Sequence, residues 1–192
     1  MSATAASADA FVTGETVADL VTDTALWLPA TALDCYEGHA RLRSWLLTPG
    51  LLTQRMRETG RDAFQMRLLG ESLQDGDHRR EIELVCAGVV WVFAQTRVPA
   101  ATLAAEPWLQ HIGETALGEA LAAQGRRVKR SDFEYAKLTA DHEVVTKALT
   151  RARLGPQALW VRRSTFQIET RPLYLQEVFL PQVGDRTVGA RP

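Results

Sequence analysis

The chain has 192 residues, 46% of them apolar and 23% charged, with 22 Lys plus Arg against 23 Asp plus Glu and a formal net charge of −1. That length suits one domain, the apolar content excludes disorder along the whole chain, and the charge balance offers no bulk attraction to nucleic acid or anionic lipid. Cys35 and Cys86 are too few for a disulfide framework or a Cys-rich zinc site and fit a reducing cytosol. No apolar run approaches the ~18 residues of a membrane helix. The opening MSATAASADAFVTGET has no Lys or Arg before its short apolar stretch, unlike a signal peptide. The expectation is a soluble, cytoplasmic protein with a small, polar, disordered tail over residues 1–15 and a single domain over residues 16–192.

The first third reads as helical. Residues 39–47 (HARLRSWLL) place Leu42, Trp45 and Leu46 at helical spacing, and Pro49 disfavours helix at Thr48. Residues 51–60 (LLTQRMRETG) make a second short helix closed at Gly60. Two short helices at a Pro-Gly turn would form a cover. The pattern then changes to period two. Phe64, Met66 and Leu68 share one face of a strand over residues 62–69, and residues 70–77 (GESLQDGD) read as a turn. In residues 80–86 (REIELVC), Ile82, Leu84 and Cys86 share one face, with Glu81 and Glu83 on the other. A turn near Gly88 leads into VVWVFAQTRV, which ends at Pro99.

Helical pattern returns over residues 101–111 and 115–124, closed by Gly125. Residues 126–138 read as one strand whose basic start, Arg126, Arg127, Lys129 and Arg130, is expected to be a solvated strand end. Residues 141–154 form a surface helix with Val145, Ala148 and Leu149 on its apolar side. Strands over residues 159–170 and 173–180, turned at Arg171-Pro172, finish the chain. The inventory is α+β: a six-stranded antiparallel sheet with helices on one side.

Most chemical signatures are missing. His39, His78, His111 and His142 lie more than 30 residues apart, without HxxxH or HExxH, so no local metal site is expected. There is no GxGxxG, P-loop or GxSxG. GESLQ at residues 70–74 lacks the final Gly and falls in an expected hairpin turn, which argues against a nucleophile elbow.

Two charges stand out by register. Leu173, Leu175, Glu177 and Phe179 share one face of the last strand, while Tyr174, Gln176, Val178 and Leu180 share the other. Both faces are largely apolar, so the strand is expected to be central and Glu177 buried. Arg80 begins the row Ile82, Leu84, Cys86 and would lie at the end of that apolar face. Buried charges are costly unless they are paired or meet a ligand. Two readings remain: a structural Arg80–Glu177 ion pair, or a cavity in which Arg80 binds an anion and Glu177 handles a hydroxyl or a proton.

WLLTPGLLTQRM (45–56), REIELVC…WVFAQTRVP (80–99), ETALG (114–118), RSDFEYA (130–136), WVRRS (160–164) and LQEVFLP (175–181) occur in an order that resembles the chorismate pyruvate-lyases across roughly residues 40–182. The resemblance implies a cofactor-free and metal-free lyase that converts chorismate to 4-hydroxybenzoate and pyruvate, supplying the ubiquinone ring. It implies a six-stranded antiparallel sheet and an internal ligand cavity beneath helical flaps. It places the carboxylate-binding arginine at Arg80, a pocket leucine at Leu117, the site glutamate at Glu177 and an apolar flap residue at Leu52. The expected partners are only this substrate and its products, with no nucleic acid and no membrane insertion, in a monomer.

Three departures accompany the resemblance. Gln95-Thr96-Arg97 stands where the family usually has Arg-Thr-Val, which bears on a second carboxylate or an outer site, with Arg97 on the opposite face. Residues 139–158 read as a surface insertion. Arg79 would replace Arg80 if the register slipped by one. The alternatives are a non-catalytic domain of the same fold that binds 4-hydroxybenzoate or a related acid, and an enzyme acting on a related substrate.

Overall fold

The computed structural model describes residues 27–35, 40–125 and 128–185; the tail expected over residues 1–15, with Arg126 and Arg127, lies outside the described residues. In chain order come β1 (Leu28–Pro29), α1 (Ala40–Leu46), α2 (Leu52–Gly60), β2 (Phe64–Gln74), β3 (Asp77–Cys86), β4 (Val89–Val98), α3 (Ala100–Ala105) and α4 (Leu117–Ala123). Then follow β5 (Val128–Arg130), β6 (Glu134–Leu138), α5 (Glu143–Ala152), β7 (Leu159–Ile168) and β8 (Arg171–Phe179). Both helices flanking Pro49-Gly50 form as their periodicity predicts.

Two tight turns set the register of the meander. Asp75-Gly76 joins β2 to β3 and Ala87-Gly88 joins β3 to β4, and all four residues have φ between 49° and 85°. Paired left-handed residues match the twist of a two-residue hairpin. The turn expected over residues 70–77 therefore shrinks to Asp75-Gly76. GESLQ is strand rather than turn, and a bulge between Leu68 and Gly70 absorbs the irregularity. At the end of the chain, Ile168 pairs with Arg171, so the turn falls at Glu169-Thr170 rather than Arg171-Pro172.

The described residues form one antiparallel sheet of eight strands, in the order β1-β6-β7-β8-β4-β3-β2, with β5 also paired to β7. Six strands were expected. The difference is the two-residue β1 and the division of residues 126–138 into β5 and β6, which pair with successive stretches of β7. As expected from its two apolar faces, β8 is internal, between β7 and β4.

The helices lie on both faces, not one. On the first face α1 and α2 bury Trp45, Leu46, Leu52 and Met56 against Ile82, Leu84, Val92 and Phe179. Farther along that face, Leu103 of α3 and Leu117 and Leu121 of α4 pack against Val98, Phe166 and Leu173. On the second face α5 buries Val144, Val145, Ala148 and Leu149 against Phe93, Val161 and Val178. Residues 139–158 thus include the helix that packs on the second face, with the apolar side expected of it.

The turn after β8 seals the first face. Gly184 has φ 74°, and a Cβ there would overlap the Trp45 indole, itself in edge contact with Trp91 at 5.5 Å. Gly88 has a similar φ of 78° but open space around it. Gly184→Ala should therefore cost about 2 kcal/mol or more in denaturant unfolding, while Gly88→Ala should cost about 1 kcal/mol. Equal losses would mean that the Trp45 contact adds nothing.

Candidate active site

Antiparallel register sets two rows of side chains across the first face. Arg80 of β3 pairs with Thr96 of β4, Thr96 with Leu175 of β8, and Leu175 with Ser164 of β7. One step along, Ile82, Ala94, Glu177 and Arg162 form the second row. Alternate residues of a strand share a face, so these rows are neighbours. Small Ala94 and Thr96 leave room in the middle, and α2 and α4 roof it. The result is a cavity partly open to solvent.

All four residues singled out in the sequence line this cavity: Arg80 and Glu177 from the sheet, Leu52 from the first turn of α2 and Leu117 from the first turn of α4. The roof is close-fitting, because a Cβ on Gly118 would overlap the Leu51 side chain. Arg79 faces the other way, 3.7 Å from Glu143 of α5. The apolar row therefore selects Arg80, as the register argument predicts.

Arg80 and Glu177 do not pair with each other. Arg80 is 2% exposed, and its Nη2 donates to the carbonyls of Gly113 (2.6 Å) and Thr115 (3.0 Å). Its Nε lacks a hydrogen bond, with Glu71 Oε1 3.6 Å away. Desolvation lowers the Arg80 pKa, opposed by Glu71. Its charge is thus held by carbonyl dipoles, with no carboxylate in hydrogen-bond contact.

Glu177 is held by Arg162, a residue the sequence reading did not single out. Arg162 is fully buried; its Nε donates to Glu177 Oε2 at 2.5 Å and its Nη2 to Oε1 at 3.2 Å. Its Nη1 donates to the carbonyls of Leu46 (3.1 Å), the last residue of α1, and of Thr48 (3.0 Å), two residues beyond it. One guanidinium therefore joins the cavity floor to its cover. A signal was present: Arg162 shares the period-two row of Trp160, Ser164, Phe166 and Ile168, the same test that picked out Glu177.

Of the basic cluster expected as a solvated strand end, Lys129 is exposed but Arg130 is not free in solvent. It lines the cavity, donates from Nε to Ser164 Oγ at 3.0 Å and from Nη1 to the Gly50 carbonyl at 3.1 Å. Desolvation first, then Arg162, brings its pKa down to about 10, with Glu177 opposing. The Phe133 ring lies 4.1 Å from the Arg130 guanidinium and 4.2 Å from that of Arg162. Gln95, by contrast, belongs to the second face, where its Nε2 donates to Glu81 Oε1 at 3.0 Å. Arg97 shares that face, 3.0 Å from Asp77. The Gln95 departure does not reach the cavity. No group of three metal-ligating side chains occurs among the described residues.

Two outcomes follow. Arg162→Ala would leave Glu177 buried without its partner and should cost about 3–5 kcal/mol in denaturant unfolding. Arg162→Met combined with Glu177→Leu should recover much of that loss, and a double variant no better than the single one would show that the pair is not the cause. The second concerns His78, whose Nε2 lies 3.8 Å from Glu71. Burial first, with Arg80 and His111, pushes its pKa below 6.5, and Glu71 opposes. Below about pH 6.5 the unfolded chain then binds more protons at this site than the native one, so its contribution is full above that pH and falls as pH drops. His78→Gln should flatten the decline of urea midpoints between about pH 7.5 and 5.5; an unchanged slope would assign the decline to other groups.

A sequence model described as chorismate lyase matches residues 21–189. A Coxiella burnetii protein named "Probable chorismate pyruvate-lyase" is 34% identical over 171 residues, covering 81% of this chain and 91% of its own. A protein of the same name from Thiobacillus denitrificans is 32% identical over 81% of this chain and 88% of its own. Among solved structures, the effector domain of PhnF from Mycobacterium smegmatis superposes with a TM-score of 0.50 at 15% identity, covering 73% of this chain and 92% of that one, a likeness of fold alone. The antiparallel sheet carrying Arg80 and Glu177 over one cavity, and the match along most of its length, together show that the chain belongs to the chorismate lyase family.

Proposed function

We propose that the cavity binds chorismate and eliminates pyruvate from it, leaving 4-hydroxybenzoate, a ring of the kind ubiquinone carries. The observation that carries this reading is the placement of Arg80 and Glu177 in adjacent rows of one cavity floor, in a chain of this family. Arg80 takes the ring carboxylate, supplying the anion partner that its carbonyl contacts do not. Leu52 and Leu117 close over the ring as apolar walls and exclude water, with α1 and α2 acting as the flap.

The electron balance asks little of the protein. The C4–H bond breaks, its electrons form the C3–C4 double bond of the new aromatic ring, and the C3–O bond breaks toward oxygen. The C4 proton ends on the methylene carbon of the departing enolpyruvate, giving the methyl group of pyruvate. Both Glu177 oxygens already accept from Arg162. A carboxylate held this way serves as an acceptor for the C4 hydroxyl, orienting the C4–H bond toward the leaving arm. The rate then derives from holding one conformer in a water-poor site.

Purified protein in chelating buffer should release pyruvate and 4-hydroxybenzoate from chorismate in equal amounts. Arg80→Ala and Glu177→Ala, checked for folding by thermal melting, should each lower kcat/KM by about 100-fold or more, the range expected for loss of a charge-assisted contact together with misorientation. Wild-type turnover in either folded variant would sink its assignment. Saturable 4-hydroxybenzoate binding with no pyruvate release would replace the lyase by a non-catalytic acid-binding domain.

A further inference from the structure

Chorismate carries two carboxylates, one on the ring and one on the ether arm, and Arg80 accounts for only one. The row Arg80–Thr96–Leu175–Ser164 crosses four adjacent strands. Its ends are therefore about 14 Å apart at Cα, three strand spacings. Arg130 stands beyond the far end, on β5, and reaches back to Ser164 through Nε. The floor thus runs from the buried guanidinium of Arg80 to the partly buried one of Arg130, and both line the same cavity.

The hydrogen bonds of Arg130 to Ser164 and Gly50 fix its plane, and Glu177 stands at ion-pair rather than hydrogen-bond distance. Nε is held by Ser164 and Nη1 by the Gly50 carbonyl, and the Phe133 and Phe166 rings lie 4.1 and 4.6 Å from its guanidinium. Nη2 lies 3.8 Å from Glu177 Oε2, beyond hydrogen-bond distance, and that oxygen accepts from Arg162. Desolvation at this position disfavours the charged guanidinium, which an anion in the cavity would offset.

We propose that Arg130 binds the second carboxylate of the substrate, the one on the three-carbon ether arm, while Arg80 binds the ring carboxylate. The identity of the substrate rests on the lyase reading above; the two-ended arginine clamp rests on the cavity alone. The clamp would discriminate substrate from product. Chorismate spans both arginines, whereas 4-hydroxybenzoate carries one carboxylate and engages only Arg80. Once the C3–O bond breaks, the two carboxylates belong to separate molecules and each is held by a single end. Ser164 is a positioning residue that aims Arg130.

The test compares binding of 4-hydroxybenzoate with that of 3-(carboxymethoxy)-4-hydroxybenzoate, a stable ether that keeps the ring carboxylate, the hydroxyl and a second carboxylate on the arm. Titration calorimetry on the full chain should show that the wild type prefers the dicarboxylate. Arg130→Gln should weaken the dicarboxylate by about 10–100-fold while changing 4-hydroxybenzoate affinity by no more than about twofold. Ser164→Ala keeps the charge but releases Nε, so it should weaken the dicarboxylate by a smaller factor and raise KM for chorismate more than it lowers kcat. Equal weakening of both ligands by Arg130→Gln, or no weakening of the dicarboxylate, overturns the clamp. If Arg130→Gln does not fold, Ser164→Ala decides on the same terms. An Arg130-dependent dicarboxylate preference without pyruvate release keeps the clamp and overturns the lyase reading. A wild type without that preference overturns the clamp even if pyruvate is released.

Discussion

The Arg162–Glu177 pair is the interaction on which both the cavity and its cover depend. Removing two charges from water is expensive, and a single ion pair rarely offsets it. Here the guanidinium makes four hydrogen bonds, two to the carboxylate and two to the carbonyls of Leu46 and Thr48. The first of those carbonyls ends α1, where no further helical donors are available, and the second lies just beyond it. The same side chain thus orients Glu177 from the floor and ends the first helix of the cover. Replacing Arg162 with lysine would not reproduce this, because a single ammonium cannot make a two-point contact and also reach α1.

The antiparallel register explains how distant parts of the sequence meet. β3, β4, β7 and β8 span residues 77 to 179, yet they contribute one residue each to two straight rows. A one-residue slip of any of them would turn its contribution to the opposite face. The two-residue turns after β2 and β3 resist such a slip within the meander. Arg130 and Arg162 in turn tie the segment between α1 and α2 to the sheet, at Leu46, Thr48 and Gly50. The cover is therefore fastened to the sheet by the arginines of the cavity itself.

Alternation in β8 and β3 made Glu177 and Arg80 legible, because each interrupts an otherwise apolar row and the structure buries both. What alternation does not reveal is the partner. Nothing in the spacing of Arg80 and Glu177 distinguishes a mutual pair from two separate ones, since strand order in the sheet decides it. Arg162 lay in WVRRS beside Arg163, and two adjacent arginines blur the period-two signal. Arg130 was hidden by three basic neighbours, which made a solvated strand end the natural reading. The number of strands was missed because β1 is only two residues long and because β5 and β6 read as one continuous stretch. The second helical face was missed because periodicity shows that α5 has an apolar side but not which face of the sheet it covers.

The Gln95 departure illustrates why residue type alone is an unsafe guide to the site. An arginine replaced by glutamine beside the sequence Thr96-Arg97 suggests a lost anion contact. Register places position 95 on the face opposite the cavity, where Gln95 shares Glu81 Oε1 with Lys147 of α5, at 3.0 and 2.6 Å. The cation that pairs with Glu81 is thus delivered by the helix from residues 139–158, and Lys147 also contacts Glu143 at 2.9 Å. These contacts raise the Lys147 pKa against desolvation, the largest single influence on it. A glutamine at 95 therefore suits a sheet face that already receives its positive charge from α5. The charges of the cavity face are set separately, by Arg80, Arg130 and the Arg162–Glu177 pair, with the sheet lying between the two sets.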